Sequence, residues 1–318
     1  MTPMNTTDLQ MLASRTRFMR EAGVALVLAS LVLGIFLFIP LGPQSSPSVA
    51  VAVTTPDTPN AFAKVPIQAK AAIVYDLATK KVLYAKNADA QLPLASLTKL
   101  LTVYGALAQL SPSTPVTISA TAASKEAPHT FAAGDTLALG NLARLTLTAS
   151  LNDGATAIAE TTATAENRST SDMLASAASS LNLTQTYAVN GSGLDANTEV
   201  SGGYGSAYDI AVLAGALVDK APSIALATTH PTTTETGLDG KSYTVKNTNP
   251  TVDTTPRLLL SKTGFTDLAG GNLAVVFDAG IEHPIAVVVL GSDEKARFTD
   301  SQALVAATLA HFSNISSL

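Results

Sequence analysis

Ser96-Leu97-Thr98-Lys99 sets a hydroxyl and an amine three residues apart, a spacing that brings two side chains onto one face of a helix. Pro93 precedes the pair, and Leu97, Leu100, Leu101, Tyr104 and Leu107 recur at helical spacing. The pattern predicts a helix that starts near Ala95 and carries Ser96 in its first turn. Unpaired backbone N–H groups and the positive end of the helix dipole favour an anion there. A serine oxygen that must act as an alkoxide, beside a lysine able to take its proton, is an activated nucleophile. The spacing alone is common: Ser292-Asp293-Glu294-Lys295 repeats it, in what reads as a polar turn after an apolar strand.

Two more groups carry chemistry. Ser150-Leu151-Asn152 follows the helix-like segment 142–148 and offers a hydroxyl that can relay a proton and an amide that can hold a carbonyl. Asp153 is placed to cap the helix that follows. Ser180-Leu181-Asn182 repeats this pattern, but at the end of a helical run. Lys262-Thr263-Gly264 occurs once, where the apolar strand 258–261 ends. Its lysine adds positive charge to a crevice, its threonine hydroxyl can bind a carboxylate, and its glycine lets a substrate backbone approach closely. Arg297 is a further source of positive charge, although a surface arginine is the commoner case.

These groups need a scaffold. Segments 71–75 and 82–85 are β-rich and flank the polar stretch 76–81, which predicts a hairpin. Helix-length apolar patterns follow over 137–147, 155–163, 173–181 and 207–217, and strand-like runs return at 258–261, 272–277 and 285–290. A last helical pattern covers 299–312. The expected fold is α+β: an antiparallel sheet built from both ends of the body, flanked by helices, beside a mostly helical subdomain over about 90–220. The site would lie in the crevice between the two parts.

Composition narrows the function. The chain has 318 residues and a net charge of −5, which argues against a nucleic-acid surface. It has no cysteine, so disulfides, thiolate metal sites and cysteine nucleophiles are excluded. The four histidines are scattered without metal-ligand spacing, so neither a metal site nor a cofactor is expected. Arg15, Arg17 and Arg20 precede an apolar run over 22–42, long enough to span a bilayer. The sequence therefore predicts a cytoplasmic segment 1–21 and a transmembrane anchor 22–42, with a signal peptide as the competing reading. A Pro-, Ser- and Thr-rich linker over 43–65 and a catalytic domain over 66–318 follow. The expected location is the cell membrane, single-pass, with the catalytic domain outside the cytoplasm.

Ser-x-x-Lys, Ser-x-Asn and Lys-Thr-Gly in this order form the motif set of penicillin-binding proteins and class A β-lactamases. Together with segments 94–102, 134–137, 150–155, 204–211 and 261–273, they make the chain resemble the D-alanyl-D-alanine carboxypeptidases of the low-molecular-mass penicillin-binding proteins, peptidase family S11. The resemblance runs from about 71 to about 309. It implies a β-lactamase/DD-peptidase-like fold and a serine-type carboxypeptidase that trims peptidoglycan stem peptides ending in D-Ala-D-Ala. β-Lactams would be its covalent inhibitors. It also implies that Ser96 forms the acyl-enzyme, Lys99 is the base and Ser150 passes a proton toward the leaving amine. Asn152 would hold a substrate amide, Lys262 would support the electrostatics, and Thr263 would bind the terminal carboxylate beside Gly264. The N–H groups of Ser96 and Phe265 would form the oxyanion hole. Phe265 stands where the family often has histidine, and Leu151 where it often has glycine; both put substrate preference in doubt.

Three alternatives remain. A DD-endopeptidase that cleaves peptidoglycan cross-links would use the same residues. A class A β-lactamase would need a deacylating glutamate well beyond Ser-x-Asn, whereas Glu160 and Glu166 come too soon and in a helical run. A non-catalytic wall-binding module would not require Lys99.

Overall fold

The computed structural model describes residues 60–280 and 282–315, together with Met19. In chain order the strands are β1 (Ala71–Asp76), β2 (Lys81–Lys86), β3 (Leu92–Pro93), β4 (Pro115–Thr117), β5 (Thr136–Ala138), β6 (Tyr187–Ala188), β7 (Gly203–Gly205), β8 (Thr232–Thr236), β9 (Ser242–Lys246), β10 (Leu258–Thr266), β11 (Gly270–Asp278) and β12 (Pro284–Ser292). The longer helices are Thr98–Gln109, Leu139–Ala149, Asn152–Ala165, Thr170–Ser180, Ala207–Lys220 and Ala296–Ile315.

Both ends of the body build one sheet. β10, β11, β12, β1 and β2 pair antiparallel in that order, and β1 meets β12 from Ala71↔Leu290 to Asp76↔Ile285. β1, β11 and β12 are buried on both faces because both faces are covered, whereas β2 at the far edge is partly exposed. Ile73, Leu260, Val276 and Val288 point into one core with the Ala207–Lys220 helix and the helices inserted between β2 and β10. Val74, Val275, Val287 and Val289 point into a second core, closed by Leu304 and Val305 of the last helix. Each such side chain, fully buried, contributes roughly 1.5–3 kcal/mol. At the turn end of β1, His283 Nε2 lies 2.7 Å from Asp76 Oδ2, while Asp76 Oδ1 accepts the N–H groups of Ala78 and Thr79.

The sheet order matters for the site. It leaves β10 at an edge, and this edge carries Lys262-Thr263-Gly264. The fold is α+β, an antiparallel sheet built from both ends of the body and flanked by helices, as expected.

Several sequence-based expectations need correction. Lys262-Thr263-Gly264 does not end a strand, since β10 continues to Thr266. The helix expected over 137–147 begins at Leu139, because residues Thr136–Ala138 pair with Pro115–Thr117 instead. Asp153 is not a cap: it lies inside the first turn of the Asn152–Ala165 helix. The single-pass membrane location is also corrected. Among the described residues no helix is long and apolar enough to cross a membrane, and the segment 22–42 on which that expectation rested lies outside them, as do the segment 1–21 apart from Met19 and most of the linker.

Candidate active site

Ser96 sits in a 3₁₀ turn, Ala95–Leu97, directly before the Thr98–Gln109 helix. The turn differs from the continuous helix the spacing predicts, because Ala95 takes a left-handed φ of 47°. Gly193 presses against it: a Cβ there would lie 1.9 Å from the Ala95 carbonyl oxygen, so no side chain fits. The turn leaves Ser96 half-buried, while Lys99 below it is 0% exposed.

Lys99 Nζ makes three contacts. It lies 2.8 Å from Ser96 Oγ, 2.7 Å from Asn152 Oδ1 and 2.7 Å from the Ser192 carbonyl oxygen. A neutral amine has two N–H groups and one lone pair. The two carbonyl oxygens can only accept, so they take both N–H groups, and the lone pair is left for the Ser96 hydroxyl. Burial pulls the Lys99 pKa from its usual value down to about 7, against an opposing pull from Asp153. Geometry and charge therefore agree on an amine that can accept a proton near neutral pH.

Ser150 and Asn152 come from the junction of two helices. The Leu139–Ala149 helix stops because Ser150 is left-handed, with φ 60° and ψ 34°, and the next helix starts at Asn152. Lys262 Nζ donates to Ser150 Oγ and to the Thr263 carbonyl oxygen, both at 2.8 Å. Lys262 lies on the same face of β10 as Leu260, two residues earlier, which carries its amine toward the helical part. It is 1% exposed. Burial, then the charges of Lys99 and Arg297, push its pKa well below the ordinary lysine value. Thr263 Oγ1 and Thr248 Oγ1 are 2.6 Å apart.

Gly264 lies against the nucleophile turn. A Cβ there would come within 2.9 Å of the Leu94 carbonyl oxygen and 3.2 Å of the Ser96 backbone nitrogen. Phe265 is 44% exposed and borders a cleft of about 610 Å³ lined by Glu126, Leu194, Asp195, Thr266 and Leu268, among others. Arg297 is not a surface arginine. It is buried, and its Nη1 donates to the Gly264 carbonyl oxygen at 2.6 Å.

The structure thus joins Ser96, Lys99 and Asn152 in one hydrogen-bonded group and Ser150 with Lys262 in another, and it sets Gly264 against the Ser96 turn. The repeat motifs stay apart: Ser180 ends a helix and donates to the Ala177 carbonyl, and Ser292 donates to Asp300 Oδ2 while Lys295 is exposed. Sequence reasoning missed the Ser192 carbonyl. A backbone acceptor leaves no mark in residue type, although Gly193 and the Asn190 side chain, which accepts from the N–H groups of Ser192 and Gly193, mark its loop as tightly built. Among the described residues no group of His, Cys, Asp and Glu is arranged to hold a metal ion.

Comparison with known proteins places this arrangement. The family model for D-alanyl-D-alanine carboxypeptidases, peptidase S11, matches residues 54–294. The D-alanyl-D-alanine carboxypeptidase DacD of Salmonella typhimurium is 31% identical over 252 residues, covering 75% of this chain and 62% of that protein. The chain therefore spans less than two thirds of that curated relative's length. Penicillin-binding protein D2 of Listeria monocytogenes, solved with ampicillin bound, is 26% identical with a TM-score of 0.63, over 77% of this chain and 98% of that one. A mutant of the Streptomyces K15 DD-transpeptidase shares the fold, with a TM-score of 0.68 at 24% identity, over 78% of this chain and 100% of that one. With the family model matching most of its length, this chain belongs to the S11 peptidase family of D-alanyl-D-alanine carboxypeptidases.

Proposed function

We propose that this protein is a serine-type D-Ala-D-Ala carboxypeptidase that trims peptidoglycan stem peptides through an acyl-enzyme on Ser96. The observation that carries this reading is the Lys99 amine, 2.8 Å from Ser96 Oγ with two carbonyl acceptors on its other sides. Lys99 takes the Ser96 proton as Oγ bonds to the carbonyl carbon of the penultimate D-alanine. The resulting oxyanion is held by the N–H groups of Ser96 and Phe265; one such donor is typically worth about 10²–10³ in rate. Collapse breaks the C–N bond: Ser150 gives its proton to the leaving amine and takes one from Lys262, to which it is hydrogen-bonded. D-Alanine departs; water then adds to the ester carbonyl, its proton passing through Ser150 to Lys262, and Lys99 gives its proton back to Ser96 Oγ as the ester C–O bond breaks.

The substrate's terminal carboxylate suits the Lys262 end of the site. Two basic side chains, Lys262 and Arg297, are buried there, and the Thr263 hydroxyl can donate to the carboxylate when Thr248 is the donor of their hydrogen bond. Gly264 keeps β10 close to the nucleophile, and the free edge of β10 can pair with an extended peptide. The cleft beside Phe265 has the volume of an ordinary ligand site and accommodates the rest of the stem peptide. β-Lactams, which carry a carboxylate beside a strained amide, would acylate Ser96 in the same way; the Listeria relative was solved with one bound.

The test is release of free D-alanine from a pentapeptide ending in D-Ala-D-Ala. Release by the wild type and none by Ser96→Ala is expected. Cleavage of cross-linked dimers without release from the pentapeptide would replace this reading with the endopeptidase one.

A further inference from the structure

Segment 126–131 is strapped to the dipeptide Asn152-Asp153. The carbonyl oxygens of Glu126 and Ala127 accept from Asn152 Nδ2 at 3.0 and 3.1 Å, and the Pro128 carbonyl accepts the Asn152 backbone N–H at 2.7 Å. The N–H groups of Thr130 and Phe131 donate to Asp153 Oδ2 at 2.6 and 2.7 Å, and that of Gly154 donates to Oδ1 at 2.7 Å. Asp153 is 0% exposed. Phe131 is buried with its ring against that of Tyr243, but residues 126–130 are exposed, so between that anchor and Asn152 hydrogen bonds hold the stretch in place.

The strap decides how Asn152 points. The Glu126 and Ala127 carbonyls can only accept, so the amide must turn Nδ2 toward them, and Oδ1 is left facing Lys99. Free to turn, the amide would present N–H groups to Lys99 in part of the population, and the amine would lose one of the two acceptors that aim its lone pair. We propose that Asp153 is a positioning residue of this site, whose buried carboxylate clamps Thr130 and Phe131 so that the Glu126 and Ala127 carbonyls orient the Asn152 amide and, through it, the Lys99 amine. The inference rests on Lys99 being the base.

Charge gives the clamp a second effect. Ser96 faces Lys99 from its own turn, Asn152 and Asp153 from the Asn152–Ala165 helix, the Ser192 carbonyl from the neighbouring loop, and Lys262 from β10 with Arg297 beyond it. The Asp153 carboxylate pulls on Lys99 in the direction opposite to burial. Removing the Asp153 charge therefore lowers the proton affinity of Lys99 further.

The test is Asp153→Asn, followed by acylation with a fluorescent penicillin across pH. An asparagine has one acceptor oxygen: turned to Thr130 and Phe131 it leaves its NH₂ group against the Gly154 N–H, and turned the other way it leaves both of the other N–H groups without an acceptor. We expect acylation above the acid limb to fall about 10- to 100-fold, the range seen when supporting hydrogen bonds around a ligand group are lost. The acid limb should move down by about one pH unit, the effect of deleting a nearby opposite charge. A wild-type rate, or a loss of rate with the limb unmoved, would overturn the proposal, since a merely structural residue gives the latter. If the variant lacks a cooperative melt, Thr130→Pro carries the test. It deletes one donor to the carboxylate and keeps the charge, so acylation should fall several-fold with the limb in place; an unchanged rate would overturn the proposal. Ser96→Ala, run alongside, separates the two levels: labelling that persists there removes the reading of the site itself, whatever Asp153 does.

Discussion

The pH dependence of acylation follows from one amine. If Lys99 is the base, the rate at which Ser96 is acylated tracks the fraction of Lys99 that is neutral. Burial brings its pKa from 10.5 to about 7. At pH 7 an ordinary lysine is neutral in about 3 of 10⁴ molecules, whereas one at about 7 is neutral in about half, a gain on the order of 10³-fold. Rapid mixing with a fluorescent penicillin from pH 5 to 10 reads this directly. The rate should climb about tenfold per pH unit below about 7 and level off above it. Lys99→Arg should be slower by about 10³-fold or more, since a guanidinium keeps its proton at every working pH. The same shift has a consequence for stability. The unfolded chain takes up the Lys99 proton below 10.5 and the folded chain only below about 7, so the unfolded state binds more protons between those values and stability rises with pH across that window. Below about pH 7 the buried ammonium costs the fold on the order of 5 kcal/mol relative to the neutral amine. An acylation rate that is flat from pH 5 to 9, or a limb near 10, would refute Lys99 as the base.

Two other substitutions test the wall opposite Lys99. Gly264→Ala should cost about 1–3 kcal/mol in thermal or urea unfolding and nearly abolish acylation, because its Cβ meets the Leu94 carbonyl and the Ser96 nitrogen and must push β10 off the nucleophile turn; a variant that acylates at the wild-type rate would mean that this contact is unimportant. Phe265→Ala keeps the backbone donor and removes an exposed ring, so penicillin acylation should stay within about threefold while the KM for stem peptides rises; a large loss of acylation would show that the ring itself shapes the oxyanion site.

Much of this was legible in residue order. Residue type and order marked Ser96, Lys99, Ser150, Asn152 and Lys262; the structure joins Ser96, Lys99 and Asn152 in one hydrogen-bonded group and Ser150 with Lys262 in another. Strand runs at both ends and helical runs between them announced a sheet made from distant segments, which β1 and β12 form. The parts that stayed hidden depend on backbone. The Ser192 carbonyl would serve equally well from many residue types. Ser150 turns a helix in a left-handed conformation without being glycine, held by Lys262 from a strand 112 residues away. Asp153 looked like a cap because an acidic residue at a helix start usually is one, and only the fold brings Thr130 and Phe131 to its carboxylate. Arg297 looked like a surface residue until the last helix packed its side chain against β10.

The most direct measurement is the identity of the acylated residue. Digestion of the penicillin-treated protein and mass spectrometry of the peptides should find the adduct on Ser96, with none formed in Ser96→Ala and formation slowed at least about 10³-fold in Lys99→Arg. An adduct on another serine, or on Ser96 at an undiminished rate without the Lys99 amine, would contradict the account.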